Sequence, residues 1–226
     1  MISPAAFGPF PFLYPVIDTD VCAARGCDPM ALAAGCLAGG ARVFQLRCKR
    51  DSSAAFLALA DRLVQLARER GATVIINDRP DIARLSGAAG VHVGQEDLLV
   101  TDVHRVAGAD AIVGLSTHDT TQVDAALAGQ ATYIAVGPIF GTTTKDTGYD
   151  ARGLELVRYA AGRGKPVVAI GGITLDRAAR VVDAGATGIA VISGLLTGGD
   201  PELQTRRFIA AIAPIDDRFV DPPDKS

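Results

Sequence analysis

The 226-residue sequence has no apolar run near the roughly 20 residues that cross a bilayer. Nor does it have an excess of basic residues: 22 Lys and Arg stand against 25 Asp and Glu, a net charge of −3. The first lack argues against a membrane span. The second argues against nucleic acid, which needs a basic patch to displace phosphate counterions. Any anionic ligand must therefore be met by Arg and Lys placed locally. No Lys or Arg precedes Arg25, and Pro4, Pro9, Pro11 and Pro15 interrupt the opening segment. A secretory signal needs a basic start and an unbroken apolar stretch, so none is expected and a cytoplasmic location is. The four cysteines, Cys22, Cys27, Cys36 and Cys48, form no CxxC pair and no zinc-like spacing with histidine. They read as reduced structural thiols. Cys48 stands between Arg47 and Lys49, whose charges would lower its pKa, but strand alternation turns it away from both.

The sequence does contain enough apolar residues, 49%, for one sizeable core or one α/β barrel, which commonly runs to about 250 residues. Short apolar runs predict strands at 12–17, 43–46, 73–76, 91–93, 111–115, 133–136, 166–170 and 188–192. Between and after them, helical spacing and capping residues predict helices at 30–38, 54–70, 80–85, 100–107, 120–128, 154–161, 174–184 and 202–212. Eight strand–helix alternations in this length point to the α/β class and a single closed (β/α)8 TIM barrel over residues 12–212. Residues 1–11 are expected to form a loose lead-in and 213–226 a flexible tail. Barrel chemistry sits at the C-terminal strand ends, and the polar clusters of this sequence fall there.

Asp78 and Asp97 follow two adjacent strands and form a candidate pair of oxygen ligands for Mg²⁺. The competing reading is that each caps a helix. Gln45, Arg47 and Lys49 share one strand face and suit a diphosphate, with Arg bidentate and Lys a point charge; ion pairs with barrel carboxylates are the alternative. Gly171–Gly172 and Ser193–Gly194 follow strands seven and eight, the usual phosphate position in barrels, although barrel loops are often glycine-rich. Thr142, Thr143, Thr144 and Lys145 place hydroxyls and an ammonium in a long loop that reads as a lid or as plain solvated chain. His92 alternates with Val91 and Val93, so it is expected to be a satisfied core or supporting residue. His118, at a strand end, could touch a substrate, and His104 is placed on the outside of a helix.

Five segments occur in order at the strand ends: Gln45-Leu-Arg-Cys-Lys49, Ile76-Asn-Asp78, His92-Val-Gly-Gln-Glu-Asp97, Gly137-Pro-Ile-Phe-Gly-Thr-Thr-Thr-Lys145 and Ile170-Gly-Gly-Ile-Thr174. Together they make the chain, from about Leu13 to Ile212, resemble the thiamine-phosphate synthase (thiamine-phosphate pyrophosphorylase) family. The resemblance implies a transferase that joins hydroxymethylpyrimidine diphosphate to a thiazole phosphate, with Mg²⁺ as cofactor and these two small molecules as its partners. It implies that Asp78 and Asp97 hold the metal. Gln45, Arg47, Lys49, Asn77 and Lys145 would hold the diphosphate and Ser116 the pyrimidine. Thr142, Thr144, Gly172, Ile192 and Ser193 would hold the thiazole phosphate, with Thr143 in the same binding loop. Arg47, Lys49, Lys145 and Ser116 would carry the catalytic work.

The chemistry suits a sequence with no poised acid–base pair. The thiazole nitrogen has no proton to lose, so charge and positioning suffice. Two departures stand out: the Lys145 loop is one residue shorter than the family pattern, and Arg79 stands where a second acid is frequent. Thiazole tautomerase, a sister family on the same barrel, is the nearest alternative. A thiamine-phosphate-binding paralogue without catalysis and another phosphate-ester barrel are the others. Whether the chain forms a homo-oligomer stays open.

Overall fold

The computed structural model describes residues 7, 9–142 and 148–214. Eight parallel strands, each paired with the next and the last with the first, close a barrel. They are β1 (Phe12–Asp18), β2 (Val43–Arg47), β3 (Thr73–Asn77), β4 (Gly90–Val93), β5 (Ile112–Thr117), β6 (Tyr133–Val136), β7 (Val167–Ile170) and β8 (Gly188–Val191). The helices are α1 (Thr19–Ala24), α2 (Pro29–Ala38), α3 (Ser53–Arg68), α4 (Pro80–Ser86), α5 (Val100–Ala107), α6 (Thr120–Ala128), α7 (Gly153–Ala160), α8 (Leu175–Asp183) and α9 (Pro201–Ile212). A 3₁₀ turn, Ser193–Gly199, follows β8. None of these helices is long and apolar enough to cross a membrane.

Alternation along each strand divides the apolar residues between two cores. Leu46, Ile76, Val91, Val113 and Ile134 face outward and pack beneath the helices. Phe12, Tyr14, Val16, Val43, Ile75, Tyr133 and Val168 fill the barrel itself. Each large side chain so buried contributes about 1.5–3 kcal/mol, so the apolar layers, not the polar mouth, carry the fold. Phe7 belongs to the inner core, stacked on Phe12 with ring centroids 5.3 Å apart; residues 1–6 of the lead-in and 215–226 of the tail lie outside the described residues.

The helix starts follow from local chemistry. Asp28 accepts from the Met30 and Ala31 N–H groups ahead of Pro29, Ser52 from Ala55, and Asp119 from Gln122. Two elements escaped the periodicity: the six-residue α1 and the 3₁₀ turn are too short to show it. Strand β5 also runs further than the apolar residues suggest. Ser116 and Thr117 pair with Ala135 and Val136, so Ser116 is a strand residue rather than part of a loop.

Candidate active site

A cavity of about 270 Å³ opens at the C-terminal ends of the strands. Gln45, Arg47, Asn77, Ser116, Thr142, Gly172, Ile192 and Ser193 all line it. Parity accounts for the strand residues. Gln45 and Arg47 alternate inward with Val43, and Asn77 follows Ile75 two positions on, opposite His92 in the β3–β4 register. Lys49 lies beyond β2 at the rim, its side chain 45% exposed. Thr143, Thr144 and Lys145 lie outside the described residues.

Asp78 and Asp97 converge. The Asp97 carboxyl is pushed above its ordinary value, first by partial desolvation and then by the nearby charge of Asp78; the Gly94 N–H and Lys49 act in the opposite direction. Lys49 Nζ donates to Asp78 Oδ2. Neither acid is a helix cap. The N-cap positions of α4 and α5 are Arg79 and Leu99, each without a side-chain cap, and Asp97 Oδ2 instead accepts the Gly94 N–H at 2.7 Å. Asp78 is also the one non-glycine residue in left-handed backbone among those described, at φ 61°. Such a residue carries roughly 1–3 kcal/mol of strain, which clusters where a side chain must be aimed. Arg79, the departure from the family pattern, turns away. It chelates Asp81 at 2.6 and 2.8 Å and reaches Ser53 at 3.1 Å.

Ion pairing is thus part of the answer for the basic residues: Lys49 meets Asp78, and Arg47 meets Asp18 on β1. Asp18, Tyr14, Tyr133 and Arg25 are site or supporting residues that the sequence reading passed over. Asp18 shares its strand parity with Tyr14 and Val16, and that alternation was the available signal.

A hydrogen-bonded line runs through the barrel beneath the cavity. Gln45 Nε2 donates to Tyr14 Oη (3.4 Å), the Tyr14 and Tyr133 hydroxyls meet at 3.0 Å, and Tyr133 Oη meets His92 Nδ1 at 2.9 Å. His92 Nε2 then meets Ser116 Oγ at 2.9 Å. Burial raises the pKa of both tyrosines, so both stay protonated. The Gln45 amide donates at one end of this line. In the order in which each hydroxyl donates onward, His92 carries its proton at Nε2, Ser116 Oγ accepts it, and the Ser116 hydrogen is free to turn into the cavity. Tyr133 fits because its register partner is Gly114, where a Cβ would come within 2.1 Å of the ring.

The loops after β6 and β7 are stitched together beside the cavity. Ile139 N donates to Ile170 O (2.9 Å) and Phe140 N to Gly171 O (3.0 Å). Gly172 has φ 61°, and a Cβ there would lie 2.5 Å from Gly141 O. Arg177 lies over the Phe140 ring at 4.7 Å and donates to Gly172 O at 3.1 Å. His118 meets Gly137 O at 2.6 Å and stacks on Tyr149, centroids 4.0 Å apart. It lines the cavity, as does the exposed Arg25. His104 is half-buried rather than exposed, its Nδ1 3.3 Å from Gly108 O.

A closed parallel barrel with paired acids, inward Arg and Gln, and glycine loops after β7 and β8 defines a (β/α)8 enzyme with a mouth suited to phosphorylated substrates. The family model described as thiamine monophosphate synthase matches residues 13–195. The chain is 40% identical over 210 residues to thiamine-phosphate synthase of Roseiflexus sp. (strain RS-1), spanning 91% of this chain and 88% of that one. It is 43% identical over 187 residues to that of Anaeromyxobacter dehalogenans (strain 2CP-C), spanning 82% and 84%. The structure of thiamine phosphate pyrophosphorylase from Pyrococcus furiosus matches with a TM-score of 0.81 at 30% identity, over 89% of this chain and 95% of that chain. A 3-hexulose-6-phosphate synthase structure, 18% identical with a TM-score of 0.64 over 89% and 100%, shares the fold. The chain belongs to the thiamine-phosphate synthase family. It is a transferase of thiamine biosynthesis that forms thiamine phosphate.

Proposed function

We propose that the chain joins 4-amino-5-hydroxymethyl-2-methylpyrimidine diphosphate to a thiazole phosphate, with diphosphate as the leaving group, and that the residues above carry the reaction. The observation that carries this reading is the convergence of Asp78, Asp97 and Lys49 just beyond the strand ends whose Gln45, Arg47 and Asn77 line the cavity. Two facing carboxylates repel unless a cation stands with them. Among the described residues no third His, Cys, Asp or Glu joins them. That donor set fits Mg²⁺, which is commonly held by one or two carboxylates plus water and substrate phosphate oxygens. Asp78 and Asp97 would hold the ion, which when bound supplies charge neutralisation to the diphosphate.

The chain's own groups do the rest. Arg47, Lys49, Gln45, Asn77 and, from the segment outside the described residues, Lys145 hold the diphosphate as its C–O bond breaks and the electron pair leaves with oxygen. Ser116, its hydrogen aimed by His92, donates to the pyrimidine. Thr142, Thr143, Thr144, Gly172, Ile192 and Ser193 seat the thiazole phosphate so that the ring nitrogen forms the new C–N bond. No proton is lost from the nucleophile, so no general base is required. The tautomerase alternative needs no diphosphate site and leaves Arg47 and the acid pair without a task; a non-catalytic paralogue leaves the strain at Asp78 without one.

The test is to incubate the purified protein with both substrates, with Mg²⁺ and with EDTA. Thiamine phosphate is expected only with Mg²⁺. Its absence with Mg²⁺ present would sink the synthase reading, and its formation in EDTA would sink the metal.

A further inference from the structure

The reaction above gives Asp18 no task, although it is an acid paired with Arg47, which lines the cavity. It ends β1 on the inward face and is 3% exposed. Its register partner on β2 is Arg47. Its two carboxylate oxygens have separate partners. Oδ1 accepts the Val21 N–H at 3.0 Å, capping α1, and Oδ2 accepts from Arg47 Nη1. Arg47 Nε is buried with no hydrogen-bond partner.

Stability does not account for this pair. A buried ion pair gives little net stability over apolar side chains of the same volume, because both charges lose their hydration. The layers of the barrel beneath it, Tyr14, Val16, Val43 and Ile75, are of just such a type. What the pair supplies is direction. A free arginine samples many rotamers. Held at Nη1 by a carboxylate that is itself tied to the backbone of α1, the guanidinium has one orientation. Its remaining terminal N–H groups are left for an acceptor in the cavity that Arg47 lines.

We infer that Asp18 is a positioning residue for the diphosphate-bearing substrate: through its split carboxylate it holds Arg47 in the orientation in which the open N–H groups meet diphosphate oxygens. This rests on the reading of Arg47 as a diphosphate ligand.

Asp18→Asn isolates the effect. Asn caps a helix about as well as Asp, but it offers one acceptor oxygen where the carboxylate offers two. The guanidinium therefore loses its charged partner while the cap survives. In the full-length enzyme with Mg²⁺, KM for the pyrimidine diphosphate is expected to rise about tenfold, the scale of a lost charge-assisted bond. KM for the thiazole phosphate should move less than about twofold, since none of its proposed ligands touches Asp18. Arg47→Ala should raise the same KM, and the double variant should be no worse than Arg47→Ala alone, because Asp18 acts only through Arg47. Asp18→Ser, which also caps, repeats the measurement if the Asn protein folds poorly.

An unchanged pyrimidine diphosphate KM in the Asn or Ser protein overturns the inference. So do equal rises for both substrates, additive losses in the double variant, or loss of the fold in both Asp18 variants. If Arg47→Ala itself keeps the wild-type KM, the reading of Arg47 fails first, and that result is separate from any of these.

Discussion

Asp78 holds left-handed backbone at φ 61° and from there meets Lys49 and faces Asp97, so one strained residue joins the loops after β2, β3 and β4 at a single point. A fold selected for stability alone would relax this residue to glycine or remove one of the two acids. Their closeness is the basis of the first prediction.

Asp97→Asn should lose turnover by about a hundredfold or more, the scale of removing a group that acts on developing charge. Its melting temperature should stay within about 2 °C of wild type, because the side chain caps no helix and Asn still accepts the Gly94 N–H. Added Mg²⁺ should raise the wild-type melting temperature and leave that of the variant unchanged. Thermal melts with and without the ion check both statements. A large loss of stability in the variant would return Asp97 to a structural role.

Tyr133→Phe removes one hydroxyl from the line between Tyr14 and His92. Buried partners left unsatisfied cost about 1–3 kcal/mol, so the variant should melt several degrees lower. His92 would no longer be held in one tautomer, and the hydroxyl of Ser116 would lose its fixed direction. kcat should fall by more than KM for the thiazole phosphate rises. Steady-state kinetics on both substrates separates this from simple loss of folded enzyme.

Gly172→Ala puts a Cβ at φ 61° and 2.5 Å from the carbonyl of Gly141. The two stitched loops must part. KM for the thiazole phosphate is expected to rise about tenfold or more, with KM for the pyrimidine diphosphate little changed. A selective effect on the pyrimidine substrate would assign this loop to the other half of the cavity.

Alkaline pH should destabilise the reduced protein. Burial pushes the thiols of Cys22 and Cys48 up to about 12 and that of Cys36 up to about 11, from an ordinary 9.0. Above pH 9 the unfolded chain has released protons that the folded chain still binds. Stability is therefore fully present below 9 and falls as pH rises through 9 to 12. Thermal melts across that window check the sign. At pH 8 the same shift leaves Cys48 almost wholly protonated, so iodoacetamide should label it far more slowly than an unfolded control, despite Arg47 and Lys49 on either side.

Much of this site was legible in the order of residues. Period-two alternation separates Gln45 and Arg47 from Phe44 and Leu46, and eight strand–helix repeats place every strand end on one face. Asp78 and Asp97 could be named for the same reason. The alternatives offered for them could not be decided locally, since an acid ahead of a helical run is equally a cap. The register of β3 and β4, and the turn at Gly94 that claims Asp97, decided against the caps. The line from Gln45 to Ser116 was not legible at all. Its central contact joins residues 119 positions apart and depends on the missing side chain at Gly114.

The sequence by itself determined the barrel, its polar end and most of the residues there, because strand parity, capping and helical period are properties of neighbours along the chain. Only the tertiary structure decided which charges meet: Asp18 with Arg47, Lys49 with Asp78, Asp78 with Asp97. Those pairings arise between strands, and the stagger of a closed sheet brings side chains together at distances that spacing along one strand does not encode.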